Sequence, residues 1–402
     1  MTTQTATPTY DYEAVAEPFR PVFRRIAESS AARDQDRRLP YDEIAELKRL
    51  GIGRLRLPEE YGGVGLTLTD LFRLLLELGE ADSNCPQILR AHYLFVEQQM
   101  LQPPSETRDR WLRLVGEGAI FGNATSERSN LQGRSDTTLT EKDGRLVLNG
   151  TKYYTTGSLF SDWINVQATY EDKPYQARVP VTAAGVDQRD DWDGFGQRTT
   201  GSGTIVFTDA DVDRDGIEPA PEGRVIHSPI AQLVILTAMV GAGRGAAADV
   251  VDYVRKRKRS FSHANTALPK DDPQVKALVG DALSTLFAAE SALFAAVGSL
   301  QRALPAIAAQ DVSADALLEQ AELDMSRAHV VIVDGVLTAI TRLFDVGGAS
   351  IVSDGLDLDR HWRNARTLSV HNPVIYKSRA VGDHAINGEG LIFRWKPGTR
   401  LE

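Results

Sequence analysis

Two histidines stand where an imidazole could do chemistry. His92 interrupts the apolar run Ala91-His92-Tyr93-Leu94-Phe95, and His371 follows Arg363-Asn364-Ala365-Arg366 and precedes Asn372-Pro373. An imidazole titrates near neutral pH and acts as donor, acceptor or base according to its surroundings. Taken bare, a histidine on an apolar helical face is more often a satisfied core residue than a catalyst. Asn372 is no base, because an amide has no lone pair able to remove a carbon-bound proton at neutral pH. The stretch from Gly223 to Ala248 holds no Asp or Glu, so it offers no carboxylate base either.

Other reactive patterns fall away. The single cysteine, Cys85, lies beside Pro86 and reads as packing. His227, His263, His329, His361 and His384 lack metal-ligand spacing, and no metal is expected. Gln232 to Val240 running into Gly241-Ala242-Gly243-Arg244-Gly245 imitates a dinucleotide fingerprint. Ala246 stands where the last glycine belongs, however, and Lys256 to Arg259 follow in place of an acidic residue. Small residues at a close helix crossing explain the run better, so nicotinamide is not expected on this chain.

The elements that must position these residues come in three blocks. Residues 1–118 read as helical: Ile44, Leu47 and Leu50 recur before Gly51, and Leu71, Leu74, Leu75 and Leu78 form a stripe closed by Gly79. Residues 119–227 change period, with short strands around Arg145–Tyr154, 163–169, 177–181 and 203–207, and a hairpin turn expected at Asn149-Gly150. Residues 228–402 return to helices. There, Asp272-Pro273 caps one carrying Val279, Leu286, Leu293 and Leu300, and a second from Ser313 turns Leu318, Met325, Ile332, Val336 and Leu343 inward. A formal charge of -10 argues against nucleic acid as a partner, leaving Arg255-Lys256-Arg257-Lys258-Arg259 as a local feature. The longest apolar run, Ile230 to Gly243, falls short of the about 18 residues that span a bilayer. With one cysteine and no signal-like N-terminus, a soluble cytoplasmic protein with no membrane partner is expected.

This α+β order of helices, strands and helices resembles the acyl-CoA dehydrogenase superfamily, on four separated motifs. They are Leu57-Pro58-Glu59-Glu60-Tyr61-Gly62-Gly63; Asn123 to Glu127 with Asn149-Gly150-Thr151-Lys152 and Thr156-Gly157; Arg198 to Phe207; and Arg360 to Asn372. The resemblance implies an N-terminal helical domain, a central β-barrel domain and a C-terminal four-helix bundle. Asn372 falls at the dehydrogenases' glutamate base, and the alternative base position on the helix near Gly241 is also empty of carboxylates. His371 and Pro373 instead match the family's flavin-dependent monooxygenase branch, typified by dibenzothiophene monooxygenase.

That branch implies an enzyme using reduced FMN, supplied in trans by a separate NAD(P)H-flavin reductase. It would form a C4a-hydroperoxide with O2 and oxygenate a small apolar substrate at sulfur, nitrogen or an aromatic carbon. FAD is disfavoured because Phe344 replaces an adenine-binding glutamine. By resemblance His92, His371 and Thr156 are catalytic, the histidines as donors to bound oxygen and Thr156 at the flavin N5 edge. Asn123, Ala124, Thr125, Ser126, Glu127 and Arg128 would face the isoalloxazine and ribityl chain, and Lys152, Tyr153, Tyr154 and Thr155 would line them. Arg259, with Gly347 and Gly348, would reach a neighbouring subunit's flavin in a homotetramer. Two rivals stay open: a dehydrogenase or oxidase with a displaced base, and a non-catalytic flavoprotein scaffold.

Overall fold

The computed structural model describes residues 10–128, 135–220 and 226–391. Residues before 10 and the start of the carboxylate-free stretch at Gly223 lie outside them. Among the described residues six helices come first: α1 (Tyr12–Ala16), α2 (Arg20–Asp36), α3 (Tyr41–Arg49), α4 (Leu68–Ala81), α5 (Asn84–Leu101) and α6 (Glu106–Gly116). Thr67 caps α4 by accepting from the Asp70 amide, and the expected leucine stripe is buried. Gly79 does not close this helix, which runs on to Ala81.

The sheet comprises β1 (Phe121–Ala124), β2 (Thr138–Lys142), β3 (Arg145–Lys152), β4 (Trp163–Tyr170), β5 (Lys173–Pro180), β6 (Val186–Gln188), β7 (Ile205–Asp211) and β8 (Ile217–Pro219). Its order is β6-β7-β3-β2-β4-β5-β8, with β1 parallel to β4. Among the described residues the ladder ends on the short strands β6 and β8, so there the sheet is open and the expected barrel is not closed.

The hairpin also moves. Asp143 and Gly144, with φ of 51° and 76°, make the turn between β2 and β3, the left-handed pair a two-residue loop demands. Asn149-Gly150 is instead a bulge inside β3, where the register against β7 shifts. Asn149 exchanges two hydrogen bonds with Asp209, and a Cβ on Gly150 would lie 2.4 Å from Thr137 Oγ1.

Five helices follow: α7 (His227–Lys256), α8 (Pro273–Ala308), α9 (Ala314–Leu343), α10 (Asp359–Ser369) and α11 (Val374–Asn387). Asp272 caps α8, accepting from the Gln274 amide at 2.8 Å. Leu286, Leu293 and Leu300 of α8 pack inward, as do all five expected apolar residues of α9. Helix α7 touches α4, α5, α8, α9 and α10, and one apolar core joins the first helices to the last. The glycines of 241–245 sit in the middle of α7. There a Cβ on Gly241 would come within 2.4 Å of the Gly79 carbonyl carbon, and one on Gly243 within 2.4 Å of Leu286. A close helix crossing therefore explains that run. Both α7 and α8 are long and apolar enough to cross a membrane, but the apolar window of α7 is 78% buried inside the protein, against 39% for α8.

Candidate active site

The segment after β3 is laid directly on α5. Gly157, at φ 82°, packs so closely that a Cβ would sit 2.2 Å from the Ile88 carbonyl oxygen, a position only glycine tolerates. Beside it, Thr156 Oγ1 bonds Ser202 Oγ at 2.8 Å, and Ser202 Oγ bonds Thr200 Oγ1 at 2.6 Å. Thr200 spends its proton on the Gln197 carbonyl, 2.8 Å away. Each hydroxyl has one proton. Ser202 must therefore donate to Thr200 and Thr156 to Ser202, which leaves Thr156 only acceptor capacity for any further partner. Thr155 is also committed, donating to the Gly203 carbonyl at 2.9 Å.

The 197–203 loop that carries this chain is tied at Gln197 and Thr199. Gln197 Nε2 donates to Ser83 Oγ (3.1 Å), the Thr199 amide donates to Asn84 Oδ1 (3.4 Å), and the Gln197 amide donates to Asn364 Oδ1 on α10 (2.6 Å). The Arg360 box is therefore scaffold in good part. Arg363 binds Asp34 and Asp357, while Arg360 and His361 both bind Asp249. Burial pushes the Asp249 carboxyl up, yet hydrogen bonding and charge from His361 and Arg360 hold it at about 2.

The end of β1 runs alongside, with the Tyr153 amide donating to the Ser126 carbonyl. Asn123 is half-buried, its Oδ1 accepting from Thr125 at 2.8 Å, and Ser126 and Arg128 are exposed; Ala124 is buried core. Glu127 and Lys152 differ from expectation as ligand contacts. They form a buried ion pair at 2.5 Å, completed by Ser135 and the Thr125 carbonyl around Lys152 and by Thr137 on Glu127. With those atoms engaged, the pair pins β1 to β3 and has little left for a ligand. Burial pushes Glu127 up, but hydrogen bonds from Lys152 and Ser135 hold it down at about 2. Tyr153 packs under the Arg128 guanidinium at 3.5 Å, and Tyr154, at φ 62°, is exposed.

His92 is held by two contacts from other segments. Its Nε2 lies 2.7 Å from the Gly53 carbonyl and its Nδ1 accepts from the Phe121 amide at 3.2 Å. That fixes the proton on Nε2 and leaves neither nitrogen for oxygen chemistry. Burial lowers its pKa to about 4. These are the contacts of a satisfied core histidine, and Tyr93 likewise spends its hydroxyl on the Ile52 carbonyl.

His371 follows α10 and keeps an accessible ring. Burial of its surroundings, then Arg90 and His329, lower its pKa to about 3; solvent reaching the ring offsets part of that depression. Either way the imidazole is neutral at pH 7. Far along the chain, Arg259 is exposed, while the Gly347 carbonyl accepts from Arg257 and Gly348, at φ 58°, abuts Phe261. These three stand together as one surface corner apart from the hydroxyl chain. Two surface cavities, of about 700 and 230 Å³, lie among α2, α4, α7, α8 and α10 and include none of the expected site residues.

Sequence reading missed Ser202, Thr200 and Gln197, although the Thr199-Thr200-Gly201-Ser202 cluster of small hydroxyls was a usable signal. It also missed Arg90, a charge inside an apolar helical stretch with no acid a turn away on either side.

Comparisons with known proteins agree with this geometry. Residues 10–119 match the model of the acyl-CoA dehydrogenase N-terminal domain and residues 233–375 that of a C-terminal domain. Dibenzothiophene monooxygenase of Rhodococcus qingshengii is 30% identical over 86% of this chain and 87% of its own length. The probable FMNH2-dependent monooxygenase SfnC of Pseudomonas putida is 27% identical over 90% and 92%. The crystal structure of FMN-bound TdsC from Paenibacillus sp. A11-2 superposes with a TM-score of 0.87 at 26% identity, over 94% of this chain and 99% of that one. The chain belongs to the acyl-CoA dehydrogenase superfamily, in its flavin-dependent monooxygenase branch. The chemistry of its residues fits FMN: Thr156 keeps acceptor capacity of the kind a reduced flavin's N5–H would use, and Asn123 and Ser126 carry polar groups.

Proposed function

We propose that this protein is the oxygenase of a two-component system, taking reduced FMN from a separate NAD(P)H-flavin reductase and using O2 to oxygenate a small substrate at sulfur, nitrogen or an aromatic carbon. The observation that carries the reading is Asn372 beside His371: the dehydrogenase fold is kept, while the base position holds an amide. The carboxylate-free first turns of α7 from Ser228 to Ala248 support it. Bound reduced FMN supplies the electrons that activate O2. The chain's own residues then have three tasks. Thr156 accepts from the flavin N5–H, Asn123 and Ser126 orient the ring, and neutral His371 donates one hydrogen bond without acting as an acid that would protonate oxygen away as peroxide. Thr155, Tyr153 and Tyr154 border the ring, and the Arg259–Gly347–Gly348 corner serves the phosphate end of a flavin held by a neighbouring subunit.

The same proposal includes domains at 1–118, 119–227 and 228–402, a C-terminal four-helix bundle, a homotetramer, and a cytoplasmic setting. It is tested by mixing the FMNH2-loaded protein with isotopically labelled O2 and candidate thioethers, amines and indoles. Label in product supports it. Anaerobic bleaching of bound oxidised flavin by an acyl-CoA thioester identifies a displaced-base dehydrogenase, and neither result with any substrate identifies a scaffold.

A further inference from the structure

The chain leaves the core on either side of His371. Ser369, at the end of α10, is buried, and the next buried residue is Lys377, in the opening turn of α11. Between them Val370, His371, Pro373, Ile375 and Tyr376 are exposed, and Asn372 and Val374 are half-buried. Upstream, the His371 amide closes the turn by donating to the Leu368 carbonyl at 3.2 Å. Downstream, the turn is only as fixed as α11. That helix packs on α9, yet Lys377 alone among its residues is buried. Its large apolar side chains Ile375, Tyr376 and Ile386 are exposed in the single chain, and Val374, Ala380 and Val381 are covered only in part. Apolar burial therefore gives α11 a weak hold.

An ion pair supplies the rest. The Lys377 ammonium donates to Glu322 Oε1 on α9 at 3.0 Å, and both side chains are 1% exposed. Ser228, at the start of α7, donates to the same oxygen at 3.2 Å, so one carboxylate ties together α7, α9 and α11. Glu322 Oε2 is buried with no hydrogen-bond partner among the described residues. Helix formation does not explain the lysine: a cation in a first turn opposes the helix dipole, and a buried ammonium is costly unless paired.

We infer that Glu322 and Lys377 are positioning residues for His371: their buried pair bolts the first turn of α11 to α9 and so holds the His371 turn in place. The inference rests on the oxygenase reading for what His371 does there, but the bolt is a property of the chain alone.

The test is amide hydrogen exchange of the flavin-free full-length protein, read peptide by peptide. In Glu322→Gln and in Lys377→Met, residues 370–387 should exchange at least roughly tenfold faster while α4 and the sheet keep native rates, as local release of one unit requires. Glu322→Gln is the harsher change, because it strands a charged lysine. Lys377→Met leaves a carboxyl that burial already pushes up and that can take a proton. If Glu322→Gln does not fold, Lys377→Met carries the comparison. The double variant Glu322→Met, Lys377→Met should exchange within about threefold of native, because packed apolar side chains replace a buried ion pair at little cost. Turnover gives the second readout. Product per FMNH2 oxidised should fall roughly tenfold in Lys377→Met, recover in the double variant, and fall no further when Lys377→Met is added to His371→Ala.

Native exchange of residues 370–387 in the single variants overturns the inference. A Lys377→Met loss that adds in full to that of His371→Ala overturns it too, because a positioning residue acts only through the group it positions. So does a double variant that docks α11 yet stays uncoupled, since the charges would then act directly. If no candidate substrate is oxygenated, the oxygenase reading falls, while exchange still decides whether the pair fixes the His371 turn; the two fail separately.

Discussion

The proton order along Thr156, Ser202 and Thr200 decides what Thr156 can do. A threonine with a free proton could donate to oxidised N5; one whose proton is already spent can only accept, and so prefers the reduced ring. Ser202→Ala breaks that order by removing the acceptor of the Thr156 proton. It should lower the fraction of reducing equivalents recovered as product by roughly tenfold, the upper range of one hydrogen bond's net contribution, with hydrogen peroxide rising to match. The measurement is product and peroxide per FMNH2 oxidised; an unchanged ratio would show that the order is irrelevant. His92 teaches the opposite lesson. The apolar neighbours of this residue were visible in the sequence, but the carbonyl of Gly53 and the amide of Phe121 that saturate it come from distant segments. No local pattern discloses such partners, whereas the bare statistical expectation for a core histidine did anticipate them.

Among the elements, the β1–β3 junction depends on one buried ion pair. Glu127→Gln leaves Lys152 charged and unmatched, and should cost roughly 3–5 kcal/mol by analogy with other buried pairs. The sign with pH follows from a carboxyl whose folded value, about 2, lies below its ordinary 4.5. Its contribution is fully present above pH 4.5 and fades as pH falls toward 2. Melting curves of the two proteins should therefore stand apart at neutral pH and converge in acid; a gap independent of pH would refute the assignment. The sequence was legible here only in part. Two Asx-Gly pairs compete for the hairpin, and Asn149-Gly150 looks as good as Asp143-Gly144 until the two-sided pairing of β3 with β2 and β7 is known. Helical periodicity was more reliable, because the apolar stripes of α4, α8 and α9 report burial directly. Gly79 misled because a glycine at a close crossing and one at a helix end look alike in one dimension.

At the scale of the whole molecule, the three-block order and the family could be read from four motifs spread along the chain. The open sheet could not, because the pairing of its end strands is set by contacts distant in sequence. Helix α8 leaves an apolar face uncovered, with Phe287 73% exposed beside Leu283 and, on α9, Val331, which a proposed tetramer would bury. Phe287→Glu should shift the sedimentation profile to smaller species and weaken flavin binding together, since the Arg259 corner would lose its neighbour. A monomeric native protein would remove both expectations. One small bond has a wider consequence for how the enzyme matures. Because Asn364 of α10 grips Gln197, the hydroxyls of the central segment gain their final setting only after α10 has left the ribosome. Flavin capture is then a late event in biogenesis, and a nascent chain halted before α10 would carry a sheet with no competent place for the coenzyme.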